Sequence, residues 1–320
     1  MADRSLTIGS MFGAADASTF MGLPACANLQ DLRADIALLG APGATPYPSV
    51  GAYCAGAPAA IRAAVAGYAT TLAHHDFDLD GPLLGAHGAR AVDCGDLPFD
   101  ADDAAGNRGR IRDAVAAILG RGAVPVVIGG DDSVPIPVLD AFAGHGRFTI
   151  LQIDAHIDWR DDVGGERLGL SSTMRRASEM GHIAGIIQVG QRAVGSARGS
   201  DVTDARAAGV RFVPARAVHE HGIAPVLDLI PAGADVIVAF DCDGLDPAIM
   251  PAVIGPAPGG LSFWQAAGLL HGAAARGRIA GFNLVEFMPA RDVGGAGALV
   301  AARLLANVIG LLARNLRGGA

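Results

Sequence analysis

The chain has 320 residues, a net charge of −8, 18% charged residues and 51% apolar content with 45 glycines. These proportions exclude a disordered chain and predict a compact, well-buried protein with tight loops. The acidic balance argues against nucleic-acid binding, which needs clustered positive charge, and is compatible with a small cationic substrate.

The first 30 residues lack periodicity, and the stretches Ser10–Gly13 and Ser18–Gly22 predict an irregular arm that covers a subunit interface, folds over a site or stays partly ordered. No linker, charge block or repeat divides residues 31–320, which read as one domain. Apolar runs at Ile36–Leu39, Val124–Ile128, Thr149–Ile153, Ile186–Val189, Val210–Val213, Val236–Phe240 and Ile279–Val285 predict buried strands. Helical stretches alternate with them, among them Ala57–Gly67, Arg108–Leu119, Ser172–Met180, Leu261–Ala275 and Ala296–Leu316. The alternation predicts βαβ units around a parallel sheet. The loop from Ala41 to Pro58, with Tyr47, Tyr53 and Cys54, is a candidate pocket wall.

All basic residues are arginine, which reads as base-composition bias in the genome. Cys26, Cys54, Cys94 and Cys242 form no Cys-x-x-Cys pair and read as reduced thiols of a cytoplasmic protein. No signal peptide is visible and the apolar stretches are interrupted, so no membrane association is expected. The histidine pair His74 and His75 reads as an exposed turn, and His182, His219, His221 and His271 as surface or packing residues.

Two acidic clusters follow predicted strands directly: Asp154-Ala155-His156-Ile157-Asp158 and Asp241-Cys242-Asp243-Gly244-Leu245-Asp246-Pro247. The C-terminal ends of parallel strands are where such sheets place ligand sites. Carboxylates converging there repel one another unless a cation neutralises them, so a metal site, with two ions, is the first expectation. Positions i, i+2 and i+4 leaving a strand share a direction, which lets Asp154, His156 and Asp158 face one cluster.

Read with Gly129-Gly130-Asp131-Asp132-Ser133 and Val285-Glu286-Phe287-Met288-Pro289, these clusters resemble, in order, the signature blocks of the ureohydrolase superfamily, the arginase and agmatinase group. Gly51 to Arg62, Gln188 to Arg192 and Gly255 to Leu261 extend the resemblance to about residues 35–315. It implies a three-layer α/β/α arginase-like fold with a mainly parallel eight-stranded sheet. It also implies two bridged divalent ions, manganese or nickel, sharing a hydroxide that attacks a guanidinium carbon to give urea and an amine. Carried over by position, Asp154 and Asp241 look like bridging carboxylates, Asp158 like a ligand of one ion, and His156 and Asp243 like ligands of the other. Asp158 and Glu286 are the candidate catalytic residues, Glu286 also as the guanidinium partner, with Trp159, Ser171 and Ser172 as candidate substrate contacts. Asp246 takes a supporting or turn-forming role.

The chain departs from the family pattern twice. Asp132 stands where a ligand histidine is usual, so one ion is held differently, weakly or not at all. Gly169 to Arg176 contains no histidine where relatives carry a proton shuttle, leaving Ser171, Ser172 or water to substitute. The leading expectation is hydrolysis of a short or alkylated guanidine or biguanide. The alternative is a metal-deficient subunit supporting an active ureohydrolase paralogue, as in heteromers acting on metformin, and a formimino or amide substrate is a third. The resemblance also implies a trimer or hexamer, homo- or hetero-oligomeric, with the Arg314–Arg317 helix end as a candidate interface element.

Overall fold

The computed structural model describes residues 18–69, 71–85, 88–195 and 197–315; the Ser10–Gly13 stretch and Arg317 lie outside them. Eight strands, β1 Ile36–Ala41, β2 Ala91–Asp96, β3 Val124–Gly129, β4 Phe148–Ile153, β5 Ile183–Val189, β6 Arg211–Val213, β7 Asp235–Asp241 and β8 Arg278–Val285, form one sheet. Its order is β2-β1-β3-β8-β7-β4-β5-β6, and every pairing is parallel.

The side-chain period of two sorts each strand between two cores. Ile36, Leu38, Leu151, Ile153, Val236, Val238 and Phe240 face one core, and Ala37, Leu39, Phe148, Ile150, Ile237 and Ala239 face the other. The first core is closed by α1 Ala57–Ala64, α8 Phe263–Arg276 and α9 Ala296–Asn315. The second is closed by α2 Ala104–Gly120, α3 Pro135–Asp140, α4 Thr173–Ser178 and α5 Gly199–Ala207. Both faces are thus covered by helices, as continuously apolar parallel strands require, and the three-layer α/β/α architecture follows.

One strand escaped the sequence pattern. In β2, Ala91-Val92-Asp93-Cys94-Gly95-Asp96, the apolar run is broken by Asp93, yet that carboxylate is 1% exposed. Arg62 of α1 compensates it with a two-pronged pair, Nε to Oδ2 at 2.7 Å and Nη2 to Oδ1 at 2.9 Å, and reaches Asp96 with Nη1. The backbone N–H of Phe20 donates to the same carboxylate at 2.8 Å, tying the Ser18–Gly22 stretch to the sheet edge.

α9 has the length and hydropathy of a membrane-crossing segment, which the sequence reading passed over, but 78% of its apolar window is buried within the protein. Near its end Arg314, an expected interface residue, is committed internally: it donates to the carbonyls of Leu79, Pro82 and Leu83 at 3.1, 2.9 and 3.1 Å. Among the cysteines Cys54 and Cys242 are buried, Cys26 and Cys94 half-buried, and all four are free.

Candidate metal centre

Strand register brings the acids together. Ile153 pairs with Phe240 and Asp241 with Val285, so the chain leaves β4, β7 and β8 at neighbouring points with Asp154, Asp241 and Glu286 adjacent. From β3 the turn at Gly129–Asp132 reaches the same place, and the Glu286 N–H donates to the Gly130 carbonyl at 2.8 Å. Gly130 is obligatory there: a Cβ would meet the Pro42 carbonyl oxygen at 2.0 Å. Two non-glycine residues adopt left-handed backbone at the site, Asp158 with φ 45° and Glu286 with φ 65°, a conformation that concentrates where function over-determines geometry.

Two groups of three side chains present ligand atoms within 4.8 Å of one another: Asp154, His156 and Asp243, and Asp132, Asp154 and Asp158. Asp154 belongs to both, as a bridge between two ions would. His156 Nδ1 lies 2.9 Å from Asp243 Oδ2 and 3.5 Å from Asp154 Oδ1. Asp132 completes the second group, and its Oδ2 is buried without a hydrogen-bond partner. An orphaned buried carboxylate oxygen is costly unless a cation meets it, so the substituted aspartate fits a metal site rather than spoiling it. Asp241, expected as a second bridge, belongs to neither group; its Oδ1 accepts the Asp243 N–H at 2.7 Å and so caps the turn that presents Asp243.

The electrostatics follow from this crowding. Burial and the neighbouring charges of Asp158, Asp154 and Glu286 hold the Asp132 carboxyl well above the usual carboxylate range. Burial likewise pushes up Asp158, Asp241 and Asp243, each further raised by nearby carboxylates. Asp154 alone goes down, because hydrogen bonding and charge from His156 outweigh its burial. Hydrogen bonds to Asp154 and Asp243 overcome the burial of His156 and raise it to about 12. Such a cluster without an ion must retain protons; divalent ions replace them.

Glu286 stands at the edge of the acids. Its Oε1 accepts the Asp132 N–H at 2.9 Å, and both carboxylate oxygens lie 2.8 Å from the Tyr53 hydroxyl. Burial, then the charge of Asp131, pushes it up to about 8. The Ala41–Pro58 loop therefore does reach the site, through Tyr53.

Other expected residues fall elsewhere. Trp159 is 3% exposed and packs in the second core with Ile157, Met174 and Ala177, so it is a core side chain rather than a substrate contact. Ser172 is fully buried and Ser171 donates its N–H to Tyr47 at 3.4 Å; both sit beside Tyr47. Asp246 takes the turn-forming role, accepting from Ala248, Gly259 and Gly260 N–H at 2.9, 2.8 and 3.1 Å. Arg192, within the Gln188–Arg192 block, donates to the carbonyls of Asp243 at 2.6 Å and Ala257 at 2.8 Å and locks two site loops together. His182, His219 and His271 bond the Leu139 and Gly260 carbonyls and Asn307, as packing histidines do.

A sequence model of the arginase family matches residues 34–310. The agmatinase of Pyrococcus horikoshii is 30% identical over 290 residues, which is 88% of this chain and 93% of that protein. The guanidinobutyrase of Pseudomonas aeruginosa is 33% identical, but the match spans 61% of this chain and 62% of that protein, under two thirds of its length. The crystal structure of the proclavaminate amidino hydrolase of Streptomyces clavuligerus superposes with a TM-score of 0.79 at 28% identity, covering 94% of this chain and 99% of that one. Family match, parallel sheet and acid cluster at the strand ends agree: the chain belongs to the arginase family.

Proposed function

We propose that this chain hydrolyses a short or alkylated guanidine or a biguanide to urea and an amine, with two divalent ions, manganese or nickel, bound in the acid cluster. The observation that carries the reading is the pair of three-ligand groups sharing Asp154, with Asp132 completing the second group where a histidine is usual. An all-carboxylate group of this kind favours a hard ion, which suits manganese better than nickel. When bound, the ions supply activation of a water molecule for attack on the planar guanidino carbon.

The chain's own residues supply the rest. Asp132, Asp154, Asp158, His156, Asp241 and Asp243 bind the ions, Asp241 also fixing Asp243 through its Oδ1. Glu286 accepts two parallel N–H bonds from the guanidinium, a geometry that a planar cation matches. To do so it exchanges the Tyr53 hydroxyl for substrate N–H groups. Hydrolysis takes both protons off the attacking water, since the urea oxygen keeps neither, and both leave on the departing amine as its ammonium; we assign their transient acceptance and relay to the Asp158 carboxylate, since no histidine follows in Gly169 to Arg176.

The second reading, a subunit that supports an active paralogue in a hetero-oligomer, is favoured by the Tyr53 hydroxyl. It occupies both Glu286 oxygens and so competes with a substrate for them. Elemental analysis of the purified chain after manganese or nickel loading, with urea release assayed on a guanidine panel, separates the two. About two ions per chain and urea release are expected of the enzyme. Little metal in the unmodified chain, restored in Asp132→His, sinks the enzymatic reading and points to the paralogue.

The reading extends to an assembly of three or six chains in the cytoplasm. Phe77, 91% exposed, and Trp264, 63% exposed, support the assembly as candidate contact residues.

A further inference from the structure

One rung below the acid cluster, on the face of the second core, a glutamine pair crosses the sheet. Gln152 of β4 pairs in register with Gln188 of β5, and the two side chains are 1% and 0% exposed. Burying two primary amides among apolar side chains is costly unless their polar atoms are used. Gln188 Nε2 donates to Gln152 Oε1 and, at 2.9 Å, to the Ile157 carbonyl. These two bonds settle which way the Gln152 amide faces: with Oε1 held by Gln188, Nε2 is turned toward the acids. Its two hydrogens are then divided, one to Asp154 Oδ2 at 2.6 Å and one to Asp158 Oδ2 at 2.8 Å. Residues i and i+2 share a strand face, so Gln152 stands directly beneath Asp154.

We infer that Gln152, oriented by Gln188, is a positioning residue for the metal centre: it pins one oxygen of Asp154 and one of Asp158, leaving the other oxygen of each aimed at an ion. The role rests on the reading that the cluster holds divalent ions. An uncharged donor is the suitable choice, because it holds two carboxylates at a fixed separation without neutralising either, as a lysine or arginine would. Asp158 sits at a left-handed backbone position, φ 45°, uncommon outside glycine though aspartate is among the residues that accept it. Its carbonyl is held by the N–H groups of Met174 and Arg175 at 3.1 and 3.2 Å, and Gln152 holds its side chain. Gln188 donates to neither acid, so it acts on the centre through Gln152 and through the Ile157 carbonyl one residue before Asp158.

The test is a titration of metal-free full-length chain with manganese(II) alone, following the free ion by electron paramagnetic resonance. The near-isosteric Gln152→Met is expected to bind manganese about 10-fold or more weakly, as loss of a bond to a ligating side chain does. Gln188→Met is expected to weaken binding in the same direction, and the double variant to lose less than the sum of the two single losses. Such coupling is expected of two side chains in contact, and what separates positioning from a merely structural role is the readout itself: a structural role moves the melting temperature of the metal-free chain and leaves manganese affinity unchanged. Unchanged manganese affinity in Gln152→Met overturns the inference, and so does full additivity. Should Gln152→Met not fold, Gln188→Met decides by itself: weakened binding supports the inference and wild-type affinity overturns it. If the unmodified chain binds no manganese, the metal reading fails and this role falls with it, an outcome distinct from equal binding by wild type and variant.

Discussion

Glu286 concentrates several demands in one side chain: left-handed backbone at φ 65°, full burial, and a carboxylate shared between Asp132 N–H and Tyr53. Raised from 4.5 to about 8 by burial and then Asp131, it keeps a proton in the folded, metal-free chain that the unfolded chain releases between those values. The folded state thus binds more protons there, and stability falls as pH rises through that window. His156, raised from 6.5 to about 12, has the same sign and extends the fall upward, whereas Asp154 is lowered and acts only below its usual 3.8. The chelated protein is therefore expected to melt at a lower temperature at pH 8.5 than at pH 5.5 in a thermal-shift series. Manganese competes with those protons, so its stabilising effect grows over the same interval. A chelated melting temperature that climbs toward pH 8.5 contradicts this account of the cluster.

At this scale the acidic clusters with Asp154, His156, Asp158 and Asp243 were legible in the sequence, because they follow apolar runs and the spacing of the first three sets their direction, whereas Glu286 stood out through the resemblance to the family's signature blocks. Gln152 was not noticed. Its signal was available as a glutamine two residues before Asp154 in an otherwise apolar strand, but a lone polar residue in a strand does not reveal its partners. Trp159 misled in the opposite sense: next to the acidic block in sequence, it turns away into the second core.

Among the elements, β2 and α1 hold each other through a buried ion pair. Arg62 is 6% exposed, and removing it leaves the Asp93 carboxylate with only the N–H groups of Phe20 and Gly95, at 2.8 and 2.9 Å. Deleting one partner of such a pair costs about 3 to 5 kcal/mol. Arg62→Ala is expected near the lower end, because Asp96, its other partner, is partly solvated. The double change Arg62→Met with Asp93→Leu should cost less than Arg62→Ala, since no buried charge is then left alone. Urea midpoints read both, and a loss under 1 kcal/mol in Arg62→Ala would refute the assignment. The same pair explains why β2 was illegible: its polar residue is matched by an arginine 31 positions earlier, and strand periodicity carries no record of a non-local partner. β3, β4, β7 and β8 were readable because both their faces are buried and apolar residues dominate both.

For the whole molecule, assembly is the open property that the surface addresses. Trp264 lies beside Arg303, whose guanidinium is 4.4 Å over the Phe263 ring and 5.4 Å from that of Trp264 while pairing with Asp78, the residue that follows the exposed Phe77. Light scattering should give a mass three or six times that of the 32.2 kDa chain. Phe77→Ser with Trp264→Ser should lower it, whereas a monomeric mass for the unmodified chain refutes the proposed assembly.

The strand order has a kinetic consequence. The last strand in sequence, β8, lies between β3 and β7 and, among the described residues, is the strand that joins a half-sheet drawn from residues 36–129 to another drawn from residues 148–241. Asp132 leaves the first half, and Asp154 and Asp158 leave the second. An ion held by these three, as proposed, would span the joint like a rivet beside β8, and its retention would slow unfolding. Closing the joint waits on contacts more than 100 residues apart in sequence, between β3 and β8, and long-range parallel pairing of this kind is slow. The proposed centre would thus form late and, once it held an ion, keep the two halves joined.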